Sequence, residues 1–150
     1  MDEQIKNGKI LHDNEYCRFV LVDDEKALLL DWKHVTNLTL ADFKNCVAEF
    51  ASYCKKYRPG RAVIDARALD PDGDVLGWVS GQKKIDGEEE YKSWWIRELI
   101  PLYNEAGISS LSVATGNPNA PGKVAYPPET FHFKVGYLND LDAAMLWGKN

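Results

Sequence analysis

One stretch constrains this chain more than any other: Arg61-Ala62-Val63-Ile64-Asp65-Ala66-Arg67-Ala68-Leu69. It is preceded by Arg58-Pro59-Gly60 and followed by Asp70-Pro71-Asp72-Gly73-Asp74. A short apolar run bounded by turn residues is the pattern of a strand buried on both faces of a sheet. This one ends in a carboxylate, a guanidinium and an acidic turn. In open α/β sheets ligands sit just beyond the carboxyl ends of such strands, so a functional site is expected here.

The neighbouring segments fit around that strand. Residues 1–9 are polar and expected to fray. Tyr16-Cys17-Arg18-Phe19-Val20-Leu21-Val22 and Ala27-Leu28-Leu29-Leu30-Asp31-Trp32 flank Asp23-Asp24-Glu25-Lys26, which predicts a hairpin with a short polar loop. Thr39 or Asn37 can cap a helix carrying apolar residues at Leu40, Phe43, Val47, Phe50, Ala51 and Cys54, stopped by Arg58-Pro59-Gly60. Gly77, Gly81 and Gly87 leave the segment after Asp70 irregular, with one packed helical turn expected. A second helix starts near Glu88-Glu89-Glu90 and stops at Gly107, with Pro101 predicting a kink or an early end. Leu111-Ser112-Val113-Ala114-Thr115 reads as a fourth strand, and Thr130-Phe131-His132-Phe133-Lys134-Val135 as a last strand or part of one. Asn139 can cap a final helix through Ala143, Ala144, Leu146 and Trp147. This order predicts an α/β domain with a mixed sheet of four to five strands flanked by helices.

At 150 residues the chain is expected to form one domain, spanning residues 1–150. A chain this long buries roughly 70% of its unfolded surface, enough for one sizeable core. The net charge of −5 argues against nucleic acid or an anionic membrane surface as a partner. The nearest basic cluster, Lys55-Lys56-Tyr57-Arg58, is better placed to complement the negative end of a helix. No apolar run approaches the ~20 residues of a membrane span, and the start of the chain lacks a signal region. Cys17, Cys46 and Cys54 form an odd set without a CxxC pair. Cys46 and Cys54 lie about 12 Å apart along one predicted helix, too far to bridge. Reduced thiols in a cytoplasmic protein are the expectation.

Two motifs then carry a family resemblance. Val63-Ile64-Asp65-Ala66-Arg67 resembles the strand of the SpoIIAA-like branch of the STAS superfamily, which ends in a hydrophobic pair, Asp, any residue and Arg. STAS domains take their name from sulfate transporters and anti-sigma-factor antagonists. Asp140-Leu141-Asp142-Ala143-Ala144-Met145-Leu146-Trp147 is similar to that branch's closing helix, where an acidic cap leads to Ala and then Trp. In element order the likeness covers roughly residues 15–147. It implies a sheet with helices packed mainly on one face, and a role in binding partners without catalysis. In the anti-sigma antagonists, a Ser or Thr beginning the helix after this strand is phosphorylated to switch partner binding off. Here Asp65 is followed by Ala66, Arg67, Ala68 and Leu69, and the nearest hydroxyl downstream is Ser80. The phosphorylation switch is therefore not carried over.

The candidate partner-binding residues are Asp65, Arg67, Asp70, Asp72 and Trp78. Asp65 and Arg67 fall on one side by the two-residue strand period, able to pair with each other or to hold a partner or an anion. Asp70-x-Asp72-x-Asp74 has the alternating oxygens of a calcium loop, but Val75 and Gly81 replace its Gly and Glu, which favours a solvated turn. Residues 116–123 have the outline of a phosphate loop. The spacing of the glycines is one residue too long, Val124 stands where Ser or Thr should bind magnesium, and Pro127-Pro128 delays any helix. His12, His34 and His132 fall in separate segments with no ligand spacing, and no serine-nucleophile motif is present. Trp78, beside the strand ends, would be a binding anchor if exposed, although Trp is more often buried.

The expected function is a non-catalytic regulatory or scaffold module binding a protein partner, with no cofactor and no metal. The alternative is a carrier of a small apolar ligand or lipid between the sheet and the second helix, which carries Trp94 and Trp95. Homodimerisation follows if residues 75–95 expose their aromatics.

Overall fold

A computed structural model describes residues 8–34, 40–68, 98–114 and 133–147. Six strands form one sheet: β1 Lys9–Asp13, β2 Cys17–Val22, β3 Ala27–Trp32, β4 Arg61–Asp65, β5 Ser110–Ala114 and β6 Lys134–Leu138. Three helices complete the described residues: α1 Leu40–Tyr57, α2 Ile100–Ala106 and α3 Leu141–Leu146. The spatial order of the strands is their order in the chain. β1, β2 and β3 pair antiparallel, and β3 through β6 run parallel. The protein is therefore an α/β protein with a mixed sheet, of six strands where four to five were expected.

The β2–β3 hairpin forms where the two apolar runs predict it. Its turn closes with Lys26 N–H donating to the Asp23 carbonyl at 3.0 Å. Both central residues, Asp24 and Glu25, have positive φ, as does Asp23. Primed hairpin turns need positive φ at both central positions and are usually built from Asn and Gly, so this acidic turn is strained.

α1 follows its apolar spacing closely. Phe43, Cys46, Val47, Phe50, Ala51 and Cys54 are all buried on the face toward the sheet. Its predicted caps, Asn37 and Thr39, lie outside the described residues. At the other end Arg58 adopts a left-handed φ of 50° and donates its N–H to the Cys54 carbonyl at 2.9 Å. Its guanidinium also reaches the Glu105 carbonyl at the end of α2, at 3.0 Å. The basic cluster thus meets helix carboxyl ends, as expected. Pro101 sits in the first turn of α2, where its missing N–H breaks no bond. Gly107 closes that helix at φ 73°, a left-handed position that suits glycine.

Side-chain alternation divides the core in two. Phe19, Leu21, Leu28, Leu30, Trp32, Ala62, Ile64, Leu111, Val113 and Val135 pack beneath α1 and α2. Phe19 meets the Phe50 ring edge-on at 5.4 Å, and Trp32 stacks on Phe43 at 5.3 Å. The opposite face packs Val20, Val22, Ala27, Leu29, Val63 and Ala114 with Leu141, Ala144 and Met145, the last three from α3. Two of the described helices therefore share one face, and the third takes the other.

Three local expectations are corrected. β1 begins at Lys9, inside the segment 1–9 that was expected to fray, and it is the strand that the alternation failed to signal. A register shift between Ile10 and His12 breaks its two-residue period. The last strand begins at Lys134 and runs on through Gly136 to Leu138. The N-cap of α3 is Asp140, one residue after Asn139, with its carboxylate accepting the Ala143 N–H at 2.7 Å.

Candidate functional site at the carboxyl ends of β3 and β4

The pairing registers arrange the α3 face of the sheet in rows. Leu29, Val63, Ser112 and Gly136 are neighbours across β3 to β6, and one step toward the carboxyl ends come Asp31, Asp65, Ala114 and Leu138. Arg18 of β2 stands opposite Asp31. The apolar row thus gives way, at the ends of the central strands, to a row of charges.

Those charges are paired within the chain. Arg18 Nη2 donates to Asp31 Oδ2 at 2.8 Å. β4 ends at Asp65, so Arg67 lies in the turn beyond the strand instead of on it. The turn nevertheless folds Arg67 back: its Nε donates to Asp65 Oδ1 at 2.8 Å and its Nη2 to Asp65 Oδ2 at 2.9 Å. The Arg67 backbone N–H reaches the same Oδ1 at 3.2 Å. Two parallel guanidinium–carboxylate bonds fix orientation as well as charge. The Asp65 side chain is 11% exposed and that of Arg67 is 44% exposed, so the pair presents its cation outward.

The hydrogen bond to Asp65 strengthens the hold of Arg67 on its proton. The charges of Asp65, Asp140 and Asp31 act in the same direction, against partial burial. Three carboxylates (Asp31, Asp65, Asp140) therefore accompany two guanidiniums, Arg18 and Arg67, with an excess of negative charge. That balance disfavours an anion as ligand. Asp65 already accepts from Arg67 through both oxygens, so it is poorly placed to act as a general base. Among the described residues no group of three or more His, Cys, Asp or Glu side chains is placed to hold a metal ion.

Of the predicted site residues, Asp65 and Arg67 are brought together. Asp70, Asp72 and Trp78 lie outside the described residues, as do Asp74, His132 and the loop of residues 116–123. His34 touches the site's margin, its Nδ1 3.2 Å from the Ala68 carbonyl oxygen. His12 stands apart on β1, 3.1 Å from Glu49 of α1. Sequence reasoning missed Arg18 and Asp31, and it read Asp140 only as the acidic cap of the closing helix, not as a neighbour of Arg67. Counting outward from the hairpin turn would have paired Arg18 with Asp31, because Val22 faces Ala27. Asp140 carried no comparable signal, since only the path of the chain across the sheet brings it near Arg67.

The fold and site define an α/β protein with a charged row at the carboxyl ends of its central strands. No family model, curated protein or solved structure matches the chain. No helix among the described residues is long and apolar enough to cross a membrane.

Proposed function

We propose that this is a non-catalytic regulatory or scaffold module of the SpoIIAA-like kind, acting in the cytoplasm. It binds a protein partner through the surface around Asp65 and Arg67. One observation carries the reading: the two stretches that resemble that branch, distant in sequence, meet at one end of the sheet. Asp140 caps α3 close enough to bear on the Arg67 cation. A fixed pattern of half-exposed charges suits partner selection, which depends on complementary charge placement. Regulation by phosphate on the segment after β4 is not part of the proposal, because residues 66–69 contain no hydroxyl.

The alternative, a carrier of an apolar ligand, is weakened by the packing under α1 and α2. Phe19, Phe50, Tyr103, Leu28, Leu30 and Leu111 fill that layer, each with at most 1% of its surface exposed.

Affinity purification of the full chain from its native organism tests the assigned surface. Arg67→Ala removes the presented cation. Asp140→Asn removes a charge but keeps a good helix cap. Each is expected to lower partner recovery by about tenfold, while thermal melts report a folded protein. Undiminished recovery with both variants would rule out this surface.

A further inference from the structure

The corner where β1 turns into β2 holds one ring nitrogen between a donor and an acceptor. Asn14 is fixed there: its Oδ1 accepts the Tyr16 N–H at 2.8 Å and the Cys17 N–H at 2.9 Å. Turning the amide over would break both bonds, so Nδ2, which can only donate, faces His12 Nε2 at 3.1 Å. Glu49 Oε1 of α1 stands 3.1 Å from the same Nε2. A ring nitrogen either accepts through its lone pair or donates its proton, so it serves Asn14 or Glu49 but not both at once. The ring is held against Phe19 of β2, at 4.8 Å, and Tyr53 of α1, at 5.8 Å. Asp13, beside it in the strand, lies across from Arg18 of β2 and accepts from Lys33 Nζ at 2.6 Å.

We propose that His12 is a proton-driven switch that moves its hydrogen bond from the β1–β2 corner to helix α1 on acidification. In the neutral ring the proton sits on Nδ1, and Nε2 accepts from Asn14. The Glu49 side chain is 45% exposed, so water replaces the ring as its partner at little cost. Asn14, locked through its Oδ1, has no such freedom. Protonation sets an N–H on Nε2 against the amide N–H of Asn14, which breaks that bond and creates an ion pair with Glu49. The corner itself stays in place. Asn14 N–H donates to the Cys17 carbonyl at 3.0 Å, Lys33 N–H to the Tyr16 carbonyl at 2.8 Å, and Lys33 Nζ to the Asn14 carbonyl at 2.5 Å. The exchange is thus confined to the ring and its two neighbours. β1 is tied to its own turn in one state and clasped to α1 in the other.

The imidazole nitrogens of the isotope-labelled full-length protein are followed by NMR from about pH 8 to about pH 5. At the alkaline end His12 is expected in the Nδ1–H form, with Nε2 unprotonated. On acidification the side-chain amide signals of Asn14 should move with the ring. Asn14→Asp keeps an oxygen for the Tyr16 and Cys17 N–H groups but removes the amide donor, so the neutral ring should carry its proton on Nε2 instead. Glu49→Ala changes an exposed position of α1 and should leave the neutral form as it is. At the acid end of the titration, its Nε2 proton should exchange with water on the order of ten times faster than in the unaltered protein. A neutral ring already protonated at Nε2 in the unaltered protein would overturn the proposal. So would Asn14 amide signals that stay fixed while His12 titrates, or an exchange rate that Glu49→Ala leaves unchanged.

Discussion

The two faces of the sheet are built on different principles. Beneath α1 and α2 the contact is almost wholly apolar, and rings meet rings across the layer: Phe19 with Phe50, Phe50 with Tyr103, Trp32 with Phe43. Such burial is strong but weakly directional. On the other face lies α3, whose six residues are too short for a helix to persist alone. It is pinned at three points. Asp140 caps its start, Ser112 Oγ donates to the Ala144 carbonyl at 2.7 Å, and Arg61 Nη1 donates to the Met145 carbonyl at 2.6 Å. Arg61 also donates through Nη2 to Asp23 Oδ2 at 2.6 Å, tying the hairpin turn to the end of the helix. One face is held by apolar burial; the other is fixed by directed hydrogen bonds, and its charged end forms the candidate site.

The comparison can be broken by substitution, the largest effect coming from the apolar face. Phe50→Ala removes a fully buried ring and should lower the unfolding free energy by about 4 kcal/mol, measured by urea denaturation. On the α3 face Arg61→Met keeps the bulk of the stem but removes the Arg61 hydrogen bonds to Asp23 and to the Met145 carbonyl. A loss of about 3 kcal/mol is expected, larger than removing an exposed ion pair would give. A loss below about 1 kcal/mol would mean that the polar face is held by something other than these bonds.

The third effect has the opposite sign. Asp24→Asn with Glu25→Gly replaces two residues at positive φ by the pair that such a turn prefers, and should stabilise the protein by about 1 kcal/mol. Thermal melts resolve a gain of that size. No gain would show that the acidic turn is not strained against its neighbours.

The elements that were legible in the sequence are those whose burial is one-sided or complete. α1 announced itself through Phe43, Val47, Phe50, Ala51 and Cys54, and β4 through an unbroken run between turn residues. β1 did not, because it is an edge strand with a register shift, so its apolar residues fall out of step. β6 was placed too early because Gly136 looks like a loop residue. In the sheet it stands beside Ser112, in the row over which α3 lies. The Asp65–Arg67 pair was readable because both partners are local. The pairing of Arg18 with Asp31 is marked only by the register of the hairpin, and nothing local marks the approach of Asp140 to Arg67.

The coincidence of strand order with chain order has a consequence for how the molecule is made. As synthesis proceeds from the amino terminus, each strand emerges after the neighbour it must join, and the growing edge of the sheet is always the most recent one. Among the described strands, none has to be inserted between two that are already paired. A ribosome-bound chain ending after β4 would already contain the β2–β3 hairpin, α1 and their shared layer of aromatic rings. Such sequential growth spares a nascent protein the long wait with open edges that invites aggregation.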